Sequence, residues 1–274
     1  MNIGLIGAEN SHTLQFCKSF NQDNISAGNR VTHVFGDDSA EAAAKLAADY
    51  GLTICDTEAD LLDACDGVVI TYRCGHLHYA PTMRALAAGK AVFNDKPFAT
   101  NLSEAKEITT YAKDSNPRLT GGSILKSLPE LSPLKAKLQP GDTVVISYGA
   151  DPASPYDGYW FYGIHSVEIC LALFGTDYKS VSAMQDKGSV VAAIAYADRQ
   201  CVIVTRPDTY NLQLAIVGNG RSKTVAFPDI HAEISAVEFA KMLETGAPLH
   251  DFAHFTTAVQ IMETIIMQAG LCNK

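Results

Sequence analysis

The sequence predicts an α/β protein: an N-terminal, doubly wound parallel-sheet domain followed by an α+β domain on a mostly antiparallel, open sheet. Three observations carry this. Over the first 120 residues, short apolar runs alternate with helix-length stretches. The apolar runs are continuous, as in strands covered on both faces. After about residue 125, strand-like runs follow one another with few helices between them, which is the pattern of an antiparallel sheet.

In order, NIGLIG reads as a strand and SHTLQFCKSFNQ as a helix. RVTHVFG is a strand, and SAEAAAKLAADYG a helix closed by Gly51. LTICD is a short strand and EADLLDAC a short helix; GVVITY is a buried strand, and LHYAPTMRALAAG a helix closed by Gly89. Glycine just past the last helical residue is a common stop, because it accepts a left-handed backbone. AVFND, LSEAKEITTYAKD and RLTGG add a strand, a helix and a last strand. Asp38 with Glu41, and Asn101 with Glu104, have capping-box spacing. Beyond these, DTVVISYGA, SVSAMQD, SVVAAIAYA, QCVIVTRP, NLQLAIVG and KTVAFPD read as strands, broken by the helical GIHSVEICLALFG. The tail from about Ala232 to Gly270 reads as helical. Domains are expected at 1–122 and 123–274, with the C-terminal helix able to pack back on the first.

The 274 residues are 47% hydrophobic and 19% charged, which suits an ordered globular chain. A net charge of −9 argues against nucleic acid and against an anionic membrane as partners, since both need clustered Lys and Arg. The expected partner is a small molecule. The seven cysteines (Cys17, Cys55, Cys65, Cys74, Cys170, Cys201 and Cys272) form no C-x-x-C. They fit reduced thiols, and a cytoplasmic location is expected. No basic stretch followed by an apolar run stands ahead of the first strand, and no apolar run approaches about 18 residues, so neither secretion nor membrane spanning is expected.

Ligands of open α/β sheets sit beyond the carboxyl ends of the strands. The first such end, GLIGAENSH, has Gly7, but Glu9 and His12 stand where a dinucleotide fingerprint has its second and third glycines. Asn10, Ser11 and His12 offer donors at the following helix start. An ordinary strand–helix turn capped by Asn10 or Ser11 explains the same residues. Asp37, after the second strand, is either a carboxylate for a cofactor ribose, favouring NAD over its 2′-phosphorylated form, or part of a helix cap. Lys96, in Asp95-Lys96-Pro97, sits at a strand end with its backbone held extended by the proline. His165 is expected at a helix start beside the apolar stripe of Ile164, Val167 and Leu171. Glu168, three residues on, is placed to orient its imidazole. His76 and His78 are too few for a metal site, and no metal is expected.

Taken together, these stretches resemble the Gfo/Idh/MocA family of oxidoreductases. The resemblance rests on VFGDDSAEAAAKLAADYG, CDGVVITY, LHYAPTMRALAAGKAVFNDKPFATNLSEAKEI and GIHSVE, in that order. Asp95-Lys96-Pro97 stands for the family's E-K-P, and GIHSVE for its G-x-H-x-x-D. The resemblance implies a Rossmann domain, a C-terminal domain whose open sheet forms a homo-oligomer, and NAD(P)-dependent oxidation or reduction of a sugar- or polyol-like molecule. It implies that Asp95 and Lys96 meet the cofactor, that Lys96 binds substrate hydroxyls beside the nicotinamide and assists proton transfer, and that His165 contacts or deprotonates the reacting hydroxyl. Asp37 would meet the adenosine ribose, slightly favouring NAD over NADP, and Thr71 and Tyr72 would border the nicotinamide. Three departures stand out: the degenerate fingerprint, TYRCG in place of a T-P-N turn, and Phe161 where many members carry an aspartate. Tyr162 is the candidate substitute donor. The competing expectations are a regulatory ligand-binding protein with a decayed cofactor site, and a redox-neutral lyase or epimerase.

Overall fold

A computed structural model describes residues 1–227 and 233–271. The chain forms two compact units: Met1–Ala99, Ser103–Gly122 and His231–Phe252 make the first, and the remainder makes the second.

In the first unit, strands β1 (Asn2–Ile6), β2 (Arg30–Phe35), β3 (Thr53–Ile54), β4 (Gly67–Ile70), β5 (Ala91–Asn94) and β6 (Leu119–Gly121) form one parallel sheet. Its order is β3-β2-β1-β4-β5-β6. The chain turns back between β1 and β4, which opens a crevice at the carboxyl ends of those strands. Every residue of β4 and β5 is buried, which accounts for their continuous apolar runs. The alternating helices are α1 (Ser11–Cys17), α2 (Ala40–Tyr50), α3 (Glu58–Ala64), α4 (Tyr79–Ala87) and α5 (Leu102–Asp114). A π-helical turn, Lys18–Gln22, extends α1. Gly51 stops α2 at φ 69°.

The C-terminal α8 (Ile234–Thr245) belongs to this first unit. Its Phe239 is fully buried, with ring centroids 6.4 Å from Phe16, 6.3 Å from Phe20 and 6.0 Å from Phe93. Edge-on aromatic packing of this kind adds about 0.5–1.5 kcal/mol per pair beyond area burial.

One expectation about caps needs correction. Ser39 is the N-cap of α2, accepting from Ala42 N, so Asp38 and Glu41 make no capping box there. Asp38 is used elsewhere, as described below. A true capping box stands at Thr57 and Asp60, ahead of α3.

The second unit carries α6 (Leu131–Lys135), a short helix that the reading of the sequence passed over, and α7 (Trp160–Phe174). Its sheet has the order β12-β11-β7-β10-β9-β8, formed by β7 (Thr143–Gly149), β8 (Ser180–Asp186), β9 (Ser189–Ala195), β10 (Gln200–Arg206), β11 (Gln213–Gly218) and β12 (Arg221–Ala226). All neighbours are antiparallel except β7 and β10. The helix α7 begins at Trp160, so His165 lies in its second turn and not at its start. Ile164, Val167 and Leu171 are buried as expected. The tail is two helices, α8 and α9 (Phe252–Gln268), separated after the left-handed Gly246. Ala232, where the helical tail was expected to begin, and Cys272 lie outside the described residues. No described helix is long and apolar enough to cross a membrane.

Candidate functional site

The carboxyl ends of β1, β2, β4 and β5 gather most of the residues singled out from the sequence. Gly7 leaves β1 at φ 87°, and a Cβ there would lie 3.1 Å from both the ring and the backbone N of Tyr72. Glycine therefore belongs at this position. The next two N–H groups are occupied by a carboxylate: Ala8 N donates to Asp38 Oδ1 at 2.8 Å and Glu9 N to Asp38 Oδ2 at 3.0 Å. Asn10 caps α1, its Oδ1 accepting from His12 N. The backbone N–H groups of Asn10 and Ser11 meet no acceptor among the described residues. Glu9 pairs with Arg73 at 3.6 Å, so its charge is compensated.

Asp37 is not a helix cap. Its Oδ1 accepts the Tyr72 hydroxyl at 2.7 Å, while Oδ2 takes no donor among the described residues. Burial, then this bond to Asp37, pushes the Tyr72 phenol far above its ordinary range. A cavity of about 350 Å³ opens beside them, lined among others by Asp37, Asp38, Glu58, Tyr72 and Arg84. Arg84 forks onto Glu58 at 2.7 and 2.5 Å. Thr71 is fully buried, and its hydroxyl donates to Gly7 O at 3.1 Å. It therefore ties the end of β4 to the end of β1. His78 is fully buried against Tyr72 O at 2.8 Å, and burial pushes its imidazole down. That is a structural role for the second histidine of His76-Leu77-His78.

At the end of β5, Asp95 is fully buried and receives His12 Nδ1 at 2.7 Å and Asn10 Nδ2 at 3.3 Å. Burial alone would raise its carboxyl; His12, and then Lys96, overcome this and hold it at about 2. Lys96 is 3% exposed. Desolvation pulls its ammonium down to about 8, opposed by Asp95 and assisted by Arg73. The Lys96–Pro97 peptide is cis, and Asn94 Nδ2 holds Phe98 O beyond it at 2.8 Å. Gly121 on β6 makes this turn possible: a Cβ there would lie 1.8 Å from Asn94 O.

Within the second unit, His165 Nδ1 meets Ser123 Oγ at 2.6 Å, and both residues are buried. Glu168 does not orient the imidazole as expected. Its Oε1 accepts Ser123 N at 2.8 Å and its Oε2 pairs with His254 Nε2 at 3.2 Å. The carboxylate thus fixes the backbone of the residue that fixes the histidine. The i, i+3 spacing put both on α7, but in its second turn the imidazole faces Ser123 and not the helix's own acid. Lys126 Nζ donates to Ser123 O at 3.0 Å. Rings of Tyr162 and Tyr148 stand 5.4 and 5.8 Å from that of His165. Ser123, Asp38 and Arg73 were missed from the sequence. Ser123 lies two residues beyond Gly121, which ends β6, and the carboxyl end of a strand was the available signal.

Residues 1–123 match the model of the oxidoreductase family with an NAD-binding Rossmann fold, Gfo/Idh/MocA. This domain belongs to that family. Among curated proteins, no sequence matches the chain. Solved structures match its fold along nearly the whole length. GenD2 of gentamicin A biosynthesis, solved with NAD, is 15% identical, with a TM-score of 0.82 over 98% of this chain and 94% of its own. A myo-inositol dehydrogenase from Corynebacterium glutamicum is 14% identical, with a TM-score of 0.80 over 98% and 96%. The UDP-N-acetylglucosamine 3-dehydrogenase GnnA from Acidithiobacillus ferrooxidans is 17% identical, with a TM-score of 0.79 over 98% and 97%. The Gfo/Idh/MocA domain here keeps the lysine and proline of the family tripeptide with the shorter acid Asp95.

Proposed function

We propose that the chain is an NAD-dependent oxidoreductase of a small polyhydroxylated substrate, with the first unit binding the cofactor and the second the substrate. One observation carries this reading. A lysine buried to 3% exposure, with its ammonium brought down to about 8, stands at a strand's carboxyl end in an NAD-binding family domain. A buried ammonium costs stability whatever its role, and perturbed groups of this kind cluster at functional sites.

The residues present fit a dinucleotide. Gly7 leaves room for close approach, the N–H groups of Asn10 and Ser11 are open to an anion, and Asp37 Oδ2 is open to a ribose hydroxyl. Three carboxylates (Asp37, Asp38 and Glu58) around the cavity, with Arg84 already paired, repel a 2′-phosphate and favour NAD. The compensation of Glu9 by Arg73 argues against a decayed site.

When bound, the nicotinamide accepts or returns a hydride; the hydroxyl proton is left to the protein. His165 is the proposed base. Ser123 Oγ already accepts Leu125 N–H at 3.1 Å and keeps a second lone pair for His165 Nδ1–H. In that tautomer Nε2 carries the lone pair that takes the proton. Lys96 stabilises the developing alkoxide, and Tyr162, against His165, is the proposed further donor. We further propose that copies of the chain associate through the open sheet of the second unit.

The test is calorimetric titration with NADH and NADPH, followed by turnover of NAD⁺ across a panel of sugars and cyclitols. Binding of NADH in preference to NADPH, with turnover of at least one substrate, is expected. Failure of both cofactors to bind would overturn the reading.

A further inference from the structure

A second cavity, of about 210 Å³, lies wholly within the second unit. Its wall is a continuous run of aromatic rings. Tyr156 packs on Phe161 at 4.9 Å, Phe161 on Tyr162 at 4.8 Å, and Tyr162 on Tyr210 at 5.2 Å. The ring of Tyr210 lies over Gly149 at the end of β7, where a Cβ would come within 2.4 Å of it. Tyr210 is nevertheless 47% exposed, and the other three are partly so. Among the described residues, Asp151 is the only charged one in the lining. Its Oδ1 accepts Ala153 N at 2.8 Å, and its Oδ2 meets no donor among the described residues.

The face of an aromatic ring is the negative pole of its quadrupole, and a nearby carboxylate adds to that potential. Such a wall attracts a cation and repels a phosphate or carboxylate. We propose that this cavity selects substrates carrying a protonated amine on a six-membered ring, the ammonium lying between Asp151 and the rings of Tyr162 and Tyr210. The inference deepens the oxidoreductase reading, because Tyr162 is also the ring against His165. Phe161, at the place of the family's aspartate, is then part of the recognition wall, and the negative charge of this region sits on Asp151 instead.

The discriminating test needs no cofactor. Three ligands of one shape, cyclohexylammonium, cyclohexanol and cyclohexanecarboxylate, are titrated into the full chain by ligand-observed NMR near neutral pH. Cyclohexylammonium should bind at least about fivefold more tightly than cyclohexanol, as expected for desolvated cation–π and charge contacts. Cyclohexanecarboxylate should bind most weakly. Asp151→Asn keeps an oxygen for Ala153 N–H, so the turn is preserved while the charge is removed; the preference should collapse with an unchanged melting temperature. If that variant fails to fold, Tyr210→Leu serves instead and should reduce the same preference. Equal binding of ammonium and alcohol, or tighter carboxylate binding, would overturn the inference. Because these titrations omit NAD, their outcome is separate from that of the cofactor titration. An amino-sugar panel then reads the same preference in KM.

Discussion

His12 Nδ1 lies 2.7 Å from Asp95 Oδ2. Two departures from the family pattern thus meet in one contact: His12 stands for the third fingerprint glycine, and Asp95 for the longer acid of E-K-P. The ring supplies a donor that the buried carboxylate requires.

Removing that donor should be costly. The Asp95 carboxyl is held at about 2 in the fold against an ordinary 3.8. Its contribution to stability is therefore present above 3.8 and is lost as pH falls through about 2. In His12→Ala, burial remains and its main opponent is gone, so the carboxyl titrates higher and the loss begins at higher pH. The variant should lose about 1–3 kcal/mol at neutral pH, read from urea midpoints. Asp95→Asn in the same background should recover part of it.

Lys96 gives the opposite sign. Its folded value of about 8 lies below the ordinary 10.5, so between these the unfolded chain binds more protons and stability rises with pH. Below about 8 the fold bears the whole cost of a buried ammonium. Lys96→Met should therefore be more stable than the parent near pH 7, by about 1–3 kcal/mol, and lose that advantage near pH 10. It should have no turnover. Urea denaturation at the two pH values, with an activity assay, checks both statements.

Ser123→Ala removes the partner of His165 Nδ1 but leaves Ser123's backbone bond to Glu168 in place. A fall in kcat of about 10–100-fold is expected, with little change in KM and a displaced pH–rate limb for the base. Glu168→Gln, in contrast, should act mainly on stability. A pH–rate profile identical to the parent's would remove Ser123 from this positioning role.

Asp37 and Asp38 are adjacent and should fail differently. Asp37→Ser should weaken NADH by about tenfold and narrow the preference over NADPH, with a small effect on melting. Asp38→Ala strands Ala8 N–H and Glu9 N–H and should cost about 1–3 kcal/mol of stability. Calorimetry and thermal melting on the same preparations separate the two.

Much of this was legible in the sequence, and what was not has local causes. The strand–helix alternation of the first unit is a matter of periodicity and apolar runs, which need no tertiary information. Lys96 stands in a short motif at a strand end, and His165 in a short motif within α7. The role of Asp38 was hidden because an acid followed by serine ahead of a helix reads as a cap, and Ser39 takes that task itself. Ser123 was hidden because its contact with His165 joins a loop to a helix 42 residues away, and no spacing rule reaches that far. His165 and Glu168 share a helix, which suggested contact; side-chain direction sent them to different partners.

The burial of Phe239 among Phe16, Phe20 and Phe93 sets an order on synthesis. A ribosome releases the six-stranded sheet long before it reaches α8, and until then the aromatic floor of that sheet lies open to water and to other nascent chains. An N-terminal fragment ending near residue 122 would carry the same exposed face permanently. The first unit is complete only once α8 has emerged, so a frameshift downstream of the sheet and ahead of α8 would still leave it unfinished.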